Sequence, residues 1–191
     1  MSDMASVYER HRITLDEYHR MVEAGVFDPD ARIELVEGEL IEMPPIYPPH
    51  ASTVVRITTQ FVLRLRDRAS VRCQHPATLP PTSEPQPDVV LARPDPREYY
   101  EHHPAANEIL LAVEVADSTL RLDRRIKIPL YARSSICEVW LVNLVDDEIA
   151  AYREPSGAWY DSIRTYRRGE SISPLAFPDV EFAVEDLLPP K

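Results

Sequence analysis

Glycine and cysteine are scarce in this chain, and two large enzyme classes are excluded by what is missing. Its 191 residues include four glycines and two cysteines. The glycines are scattered, so no glycine-rich phosphate loop exists and an ATP- or GTP-driven mechanism is not expected. The Gly-x-Ser-x-Gly elbow of many acyl-transfer enzymes is also absent.

Long apolar runs are missing as well. No stretch approaches the roughly 18 apolar residues that a membrane helix needs, and residues 1–6 lack the basic and apolar regions of a signal peptide. Cys73 and Cys137 lie beside apolar residues, so we expect two buried free thiols. Cys73 and His75 have no second pair at zinc-finger spacing, which argues against structural zinc. A cytoplasmic location is therefore expected, without a membrane partner.

Basic residues are fewer than acidic ones, 21 against 32, so the formal net charge is −11. Nucleic-acid-binding proteins usually carry a basic footprint, since phosphate contacts supply most of the affinity. One local group of basic residues does occur, formed by Arg121, Arg124, Arg125 and Lys127. The overall charge lowers the expectation of tight DNA binding without removing it.

Periodicity predicts one α/β domain over residues 1–191, with a mixed sheet flanked by helices. Nineteen prolines mark the loops between its elements. The predicted elements, in order, are a helix Thr14–Ala24, a hairpin Arg32–Met43 turning at Glu37-Gly38, a helix His50–Arg68, strands Val71–Thr78, Asp88–Arg93 and Ile109–Ala116, a helix Leu122–Arg133 capped by Asp117-Ser118-Thr119, and strands Glu138–Asn143, Ile149–Arg153, Ala158–Thr165 and Phe177–Val184.

Two carboxylates interrupt or open apolar strands. Glu114 lies within the run Ile109–Ala116, where an unpaired carboxylate is expensive to desolvate. Asp88 directly precedes the apolar run Val89–Ala92, and Lys127 lies on the helix after Glu114. Carboxylates on neighbouring strands could bind one divalent cation, with Mg²⁺ or Mn²⁺ favoured by hard oxygen ligands. Such a site suits metal-assisted hydrolysis, with Lys127 orienting a water or stabilising the transition state.

His50 and Glu34 are further candidates. His50 lies four residues before Val54, so it falls on the buried face of its helix at the first turn. Glu34 alternates with Ile33 and Leu35, which points it towards solvent.

Structural interpretations stay open beside the functional ones. Glu114 could pair with Arg124, and Lys127 could form a helical salt bridge with Asp123. Asp88 could be a turn carboxylate and His50 a hydrogen-bonded residue at a helix start. The pair Tyr99-Tyr100, in a loop predicted to be mobile, could stack on bases or pack the loop.

The chain resembles the restriction-endonuclease-like branch of the PD-(D/E)XK nuclease superfamily. The matching pieces, in order, are Glu34–Leu40, a proline-rich turn ending in His50, Pro87-Asp88-Val89, Val113-Glu114-Val115, Asp123 and Lys127 before Leu130-Tyr131-Ala132, and Glu138–Val142. Together they span roughly residues 13–152.

The resemblance implies a restriction-endonuclease-like core in which Asp88 and Glu114 bind metal. It also implies site roles for Glu34 and His50. The superfamily motif places a lysine two residues after the second carboxylate, where this chain has Ala116. The resemblance therefore implies that the lysine role has moved to Lys127.

Three functional hypotheses follow. The first is a Mg²⁺- or Mn²⁺-dependent DNA endonuclease acting through Asp88, Glu114, Lys127, His50 and Glu34. The second is a non-catalytic binding or assembly module, motivated by Ala116 and the acidic composition. The third is a hydrolase of another phosphoester, such as a nucleotide. A homodimer is predicted from the exposed sheet edge and the late hairpins.

Overall fold

The computed structural model describes residues 10–117 and 120–190. Helix α1 (Leu15–Glu23) precedes a hairpin of β1 (Ile33–Val36) and β2 (Glu39–Glu42), which leads into the long helix α2 (Pro48–Leu65). A capping box starts α1, because Thr14 and Glu17 each bond the other's backbone N–H group. These bonds satisfy donors that a helix start otherwise leaves open.

The hairpin turn lies where the sequence predicts it. Glu37 and Gly38 have φ angles of 50° and 78°, as in the type I′ turns that suit strand twist. A Cβ at position 38 would lie 2.7 Å from the Cβ of Arg12, so both conformation and space require glycine. The hairpin stands apart from the central sheet.

The central sheet contains six strands. They are β3 (Ser70–Cys73), β4 (Val89–Ala92), β5 (Ile109–Ala116), β6 (Glu138–Asn143), β7 (Glu148–Ser156) and β8 (Trp159–Arg167). Their spatial order follows their sequence order. Strands β5 and β6 are parallel and the other neighbours are antiparallel, so the sheet is mixed, as predicted.

An interrupted helical segment connects β5 to β6. It consists of α3 (Leu120–Leu122), a π-helical turn Asp123–Lys127 and α4 (Ile128–Arg133). Pro129 lies in the first turn of α4, where its missing N–H costs little. The π-helical turn ends two residues before this proline. π-helical turns are rare and frequent at functional sites.

Helices cover both faces of the sheet. On one face, Phe61 of α2 packs edge-on against Trp140 of β6, with ring centroids 5.8 Å apart. On the opposite face, Tyr131 and Leu130 of α4 pack against the sheet. A 3-10 turn (Ala106–Glu108) precedes β5, and strands β9 (Ser171–Ile172) and β10 (Phe182–Ala183) and helix α5 (Val184–Leu187) follow the central sheet. Strands β5 and β6 are therefore enclosed on both faces.

Several predicted boundaries are wrong. The strand predicted to end at Thr78 ends at Cys73, because Gln74 adopts a φ of 52° that breaks the extended backbone. Helix α2 starts earlier than predicted and ends at Leu65, and residues 66–68 form a 3-10 turn. The predicted strand Phe177–Val184 is reduced to Phe182–Ala183.

The expectation of two buried thiols is also wrong. Cys137 is exposed in the turn before β6, and Cys73 is partly buried. Residues 118 and 119 of the predicted helix cap lie outside the described residues. Within the described part of the chain, no helix is long and apolar enough to cross a membrane.

Candidate functional site

The site is built around Glu114 on the central strand β5. Its side chain is 2% exposed. The hydroxyl of Tyr131 donates a hydrogen bond to Glu114 Oε1, and Lys127 Nζ lies 3.3 Å from the same oxygen. The buried carboxylate is thus compensated by one hydroxyl and one ammonium group, as its desolvation requires.

Asp88 lies directly before β4, beside Glu114 on the neighbouring strand. Its Oδ2 accepts hydrogen bonds from the backbone N–H of Val115 at 2.9 Å and from His50 Nε2 at 3.0 Å. Its Oδ1 accepts a bond of 3.3 Å from Gln74. Strand pairing and three donors therefore fix the orientation of this carboxylate.

Lys127 joins the hairpin to the sheet. Its Nζ lies 3.2 Å from Glu34 Oε2 on β1 and is equally close to the Glu114 carboxylate. Glu34 is 1% exposed and Lys127 is 3% exposed. The expectation that Glu34 points to solvent is wrong, because the hairpin packs this face against the helical segment that carries Lys127.

His50 occupies the predicted position on the first turn of α2. Its Nε2 bonds Asp88, while its Nδ1 is buried without a partner among the described residues. The bond to a buried carboxylate fixes which ring nitrogen carries hydrogen. A donor or acceptor brought by a bound molecule could satisfy Nδ1.

Two acidic residues outside the predicted set line the same cleft. Asp117 and Asp123 join the predicted residues around a narrow cavity of about 40 Å³. Asp123 is 2% exposed, and its charge helps to raise the pKa of Lys127. The proximity of Asp123 and Lys127 agrees with their predicted four-residue helical pairing. Asp123 is one of the matching pieces of sequence, but no catalytic or metal-binding role is predicted for it.

Tyr131 is the residue that the sequence did not reveal as part of the site. It follows Lys127 by four residues, which places it on the same face of the helical segment. That spacing was the available signal. Arg124, the predicted partner of Glu114 in the structural interpretation, instead hydrogen bonds to Tyr152.

The pKa values of the two central carboxyl groups are shifted in opposite directions. Burial alone would raise the pKa of Asp88, but the hydrogen bond and charge of His50 and the N–H of Val115 outweigh it and lower that pKa. Burial raises the pKa of Glu114 well above its ordinary value, against Lys127 and with the charges of Asp123 and Asp88. Asp88 therefore loses its proton more readily than Glu114.

Lys127 and Tyr131 keep their protons. Burial would lower the pKa of Lys127, but the charges of Glu114 and Glu34 outweigh it and raise that pKa. Burial, followed by the charge of Glu114, raises the pKa of Tyr131 well above its ordinary value. The cleft therefore contains a stable ammonium group, and a stable phenol donor contacts Glu114 from the core.

The donor chemistry of the cleft fits a hard divalent cation. Five carboxylates line it, and Glu34 Oε2 is buried without a hydrogen bond. Oxygen ligands of this kind favour Mg²⁺ or Mn²⁺. Within residues 10–117 and 120–190, however, no three His, Cys, Asp or Glu side chains are arranged to hold a metal ion. Cation binding would therefore require side-chain rearrangement.

All five predicted site residues reach this one cleft, although they come from five separate segments. They are Glu34, His50, Asp88, Glu114 and Lys127. Their catalytic and metal-binding roles stay predictions. The two residues of the Tyr99-Tyr100 pair have different surroundings. Tyr99 is buried and its hydroxyl donates a hydrogen bond to Arg93 O, while Tyr100 is exposed.

Comparison with known proteins supports the nuclease resemblance. Residues 15–185 match the family model described as "Uma2: Putative restriction endonuclease". The structure is similar to a crystal structure described as a putative nuclease from Anabaena variabilis, with a TM-score of 0.70 and 16% identity over 92% of this chain and 97% of that chain. At that identity the likeness shows the fold, and it confirms the predicted fold class. No curated protein matches the sequence.

Proposed function

The chain belongs to the family described as "Uma2: Putative restriction endonuclease", and from that premise we propose that it is a divalent-cation-dependent DNA endonuclease. The observation that carries this proposal is the convergence of five predicted residues on one acidic cleft. The reaction is hydrolysis of a phosphodiester bond, and the cation is Mg²⁺ or Mn²⁺.

The charge balance of the cleft is the reason to invoke a cation. Five carboxylates face it, against the permanent positive charges of Arg32 and Lys127. A phosphodiester would be repelled by this excess of negative charge unless a cation compensated it. Asp88 and Glu114 are the expected ligands, with Glu34 as a third acidic group. A bound divalent cation would activate water and offset charge on the scissile phosphate.

Each protein group has a distinct task in this proposal. Asp88 is held as a carboxylate by His50 and Val115, so it is preorganised. Tyr131 orients Glu114 through its hydroxyl. Lys127 keeps a positive charge beside Glu114, where it can position a water or contact a phosphate oxygen. Preoriented charges of this kind can contribute several kcal/mol to transition-state stabilisation.

The decisive experiment is a calorimetric Mn²⁺ titration of the wild type, Asp88→Asn and Glu114→Gln. Glu84→Gln is the matched control, because Glu84 is a buried carboxylate bonded to His19 and Thr78 outside the cleft. We expect saturable binding in the wild type and control, and affinity weakened roughly tenfold or more in both cleft variants. Unchanged Mn²⁺ affinity in those variants, with folding verified by circular dichroism, would contradict the proposal.

Cleavage is tested separately with plasmid DNA and a labelled RNA. Wild-type protein with Mn²⁺ should nick or cut DNA, and EDTA should stop it. Glu114→Gln should lower the rate roughly 10²-fold or more, since the cation supplies several kcal/mol. Cleavage of RNA alone would correct the substrate class, and persistent cleavage by Glu114→Gln would refute the assigned site.

The non-catalytic interpretation has one observation in its favour. Lys127 already neutralises charge at Glu34 and Glu114, so the buried pair is compensated without a cation. A folded wild type that binds neither Mn²⁺ nor DNA but forms a defined oligomer would support a binding or assembly module instead.

The homodimer stays a prediction. Strand β8 is the terminal strand of the central sheet, and it exposes Trp159 and Ile163. An exposed edge with apolar side chains can pair with another chain. Sedimentation at increasing protein concentration would reveal the dimer, and a monomer throughout would rule it out.

A further inference from the structure

We propose that Arg121 and Arg125 form a docking face for the DNA backbone beside the cleft. The inference rests on the proposed function, because it names how the same site would hold its polyanionic substrate. It arises from the way the interrupted helical segment divides its charged side chains between the cleft and solvent.

The segment has one buried side and one side that is basic and exposed. Asp123 and Lys127 are buried and line the cleft. Arg121 and Arg125 are exposed, and they too are four residues apart, which places them on one helical face. The arginines are thus carried by the same interrupted helical segment that supplies the site's lysine.

These two arginines also differ from several other exposed arginines, which form ion pairs. Arg68, Arg133 and Arg164 form ion pairs with Asp179, Glu37 and Glu170. In the described part of the chain, neither Arg121 nor Arg125 makes an ion pair or a side-chain hydrogen bond. Their guanidinium donors are available to phosphate oxygens, which they match in geometry.

The intervening Arg124 has a different task. It hydrogen bonds to the Tyr152 hydroxyl of β7, which ties the helical segment to the sheet. Arg124 is therefore excluded from the docking face.

The charge of the whole chain explains why a local face is needed. At a net charge of −11, the average protein surface repels DNA, and screening confines electrostatic attraction to about 10 Å at moderate salt. A pair of unpaired arginines next to the cleft would place the backbone where the scissile phosphate has to enter. We assign the contacts to backbone phosphates, so the face should not distinguish DNA sequences.

The test measures anisotropy of a short fluorescein-labelled DNA duplex over a series of KCl concentrations. Ca²⁺ replaces Mn²⁺ as a hard, oxygen-binding cation, and a gel confirms that the duplex stays intact. Arg121→Gln/Arg125→Gln should weaken binding roughly tenfold at low salt and reduce the slope of log Kobs against log[KCl] by about 2, close to one per lost phosphate contact.

Arg66→Gln is the matched control. Arg66 is an exposed arginine at the C-terminal end of α2, and its α-carbon lies about 24 Å along the helix from His50 at 1.5 Å per residue. Its loss should leave affinity and salt slope unchanged. Equal losses in Arg66→Gln and the double variant would overturn the proposal, as would an unaltered double variant or a wild type without DNA binding.

Failure of this inference is distinguishable from failure of the nuclease proposal. Cleavage that persists with unaltered DNA binding in Arg121→Gln/Arg125→Gln would remove the docking face and leave the nuclease. DNA binding that depends on both arginines, without cleavage in Mn²⁺, would support the docking face and refute the nuclease.

Discussion

Lys127 and Glu34 lie 93 residues apart in sequence and form a buried contact of 3.3 Å between Nζ and Oε1. The pair is 4% and 2% exposed in its side chains. An ion pair so deep in the protein is costly to desolvate, and breaking it leaves an uncompensated charge. The contact therefore couples stability of the hairpin to the chemistry of the cleft.

We predict that Lys127→Met destabilises the protein by roughly 3–5 kcal/mol, because Glu34 and Glu114 then lack their buried counter-charge. Urea unfolding followed by circular dichroism measures the free energy of unfolding. Mn²⁺ should restore more stability to this variant than to the wild type, since it can replace the lost positive charge.

The control for Lys127→Met is Asp179→Asn, which breaks the exposed ion pair with Arg68. This change should lower the free energy of unfolding far less than Lys127→Met does, because water and salt screen exposed pairs. A Lys127→Met protein as stable as the wild type, with no added response to Mn²⁺, would show that the buried ammonium is not the group that balances the cleft.

Much of the site could be predicted because its residues violate local patterns. Glu114 interrupts an apolar strand, Asp88 opens one, and His50 falls on an apolar helix face, so each stands out in sequence. Their approach follows from strand pairing between β4 and β5, in which Val89 lies opposite Val113. Neighbouring strands necessarily bring neighbouring positions together.

The rest depends on tertiary packing that periodicity does not encode. Glu34 alternates with apolar neighbours in a strand of an isolated hairpin, yet both faces of β1 are covered, and Leu35 is as buried as Glu34. Tyr131 looks like an ordinary core aromatic until Glu114 is placed beneath it. The π-helical turn Asp123–Lys127 likewise has no distinct signature in hydrophobic spacing.

Tyr131→Phe should shift the pH dependence of Mn²⁺ binding upwards. The hydroxyl donates a hydrogen bond to Glu114, which favours the charged carboxylate, so its removal raises the pKa of Glu114 further. Calorimetric Mn²⁺ affinity measured across pH reports this shift. We also expect a loss of roughly 1–3 kcal/mol in stability, because a buried acceptor loses its donor.

Tyr160→Phe controls for loss of a buried phenol, since the Tyr160 hydroxyl bonds Ile136 O away from the cleft. It should cost stability without moving the pH profile. Identical pH profiles for Tyr131→Phe and Tyr160→Phe would show that Tyr131 has only a structural role.

His50→Ala should make the protein more sensitive to acid. The pKa of Asp88 lies below its ordinary value of 3.8, with the His50 contact outweighing burial. A lowered carboxyl pKa stabilises the fold above the unfolded-state pKa, and this stabilisation is lost as pH falls through the folded-state pKa. Without His50 the loss begins at higher pH, so the acid-unfolding midpoint should rise.

At neutral pH, His50→Ala should lower the free energy of unfolding by roughly 1.5–3 kcal/mol, as for hydrogen bonds to charged groups. Acid titration followed by circular dichroism measures the midpoint. His102→Ala is the control, since His102 is half-exposed and contacts Glu108 at 3.5 Å outside the cleft. Equal midpoints for His50→Ala and the wild type would contradict the stabilising role of His50.

Mn²⁺ binding should release protons and strengthen as pH rises. Burial and the neighbouring carboxylates raise the pKa of Glu114 well above 4.5, so the metal-free protein keeps a proton on Glu114 at pH values where an exposed glutamate has lost it. A cation binds the carboxylate, and each bound ion must displace that proton. Affinity therefore increases as pH rises through the raised pKa and levels off above it.

Calorimetry in two buffers with different ionisation enthalpies counts the protons released on Mn²⁺ binding. This proton release should persist in Glu84→Gln and disappear in Glu114→Gln. Identical binding enthalpies in both buffers would show that Glu114 is already ionised before the cation binds.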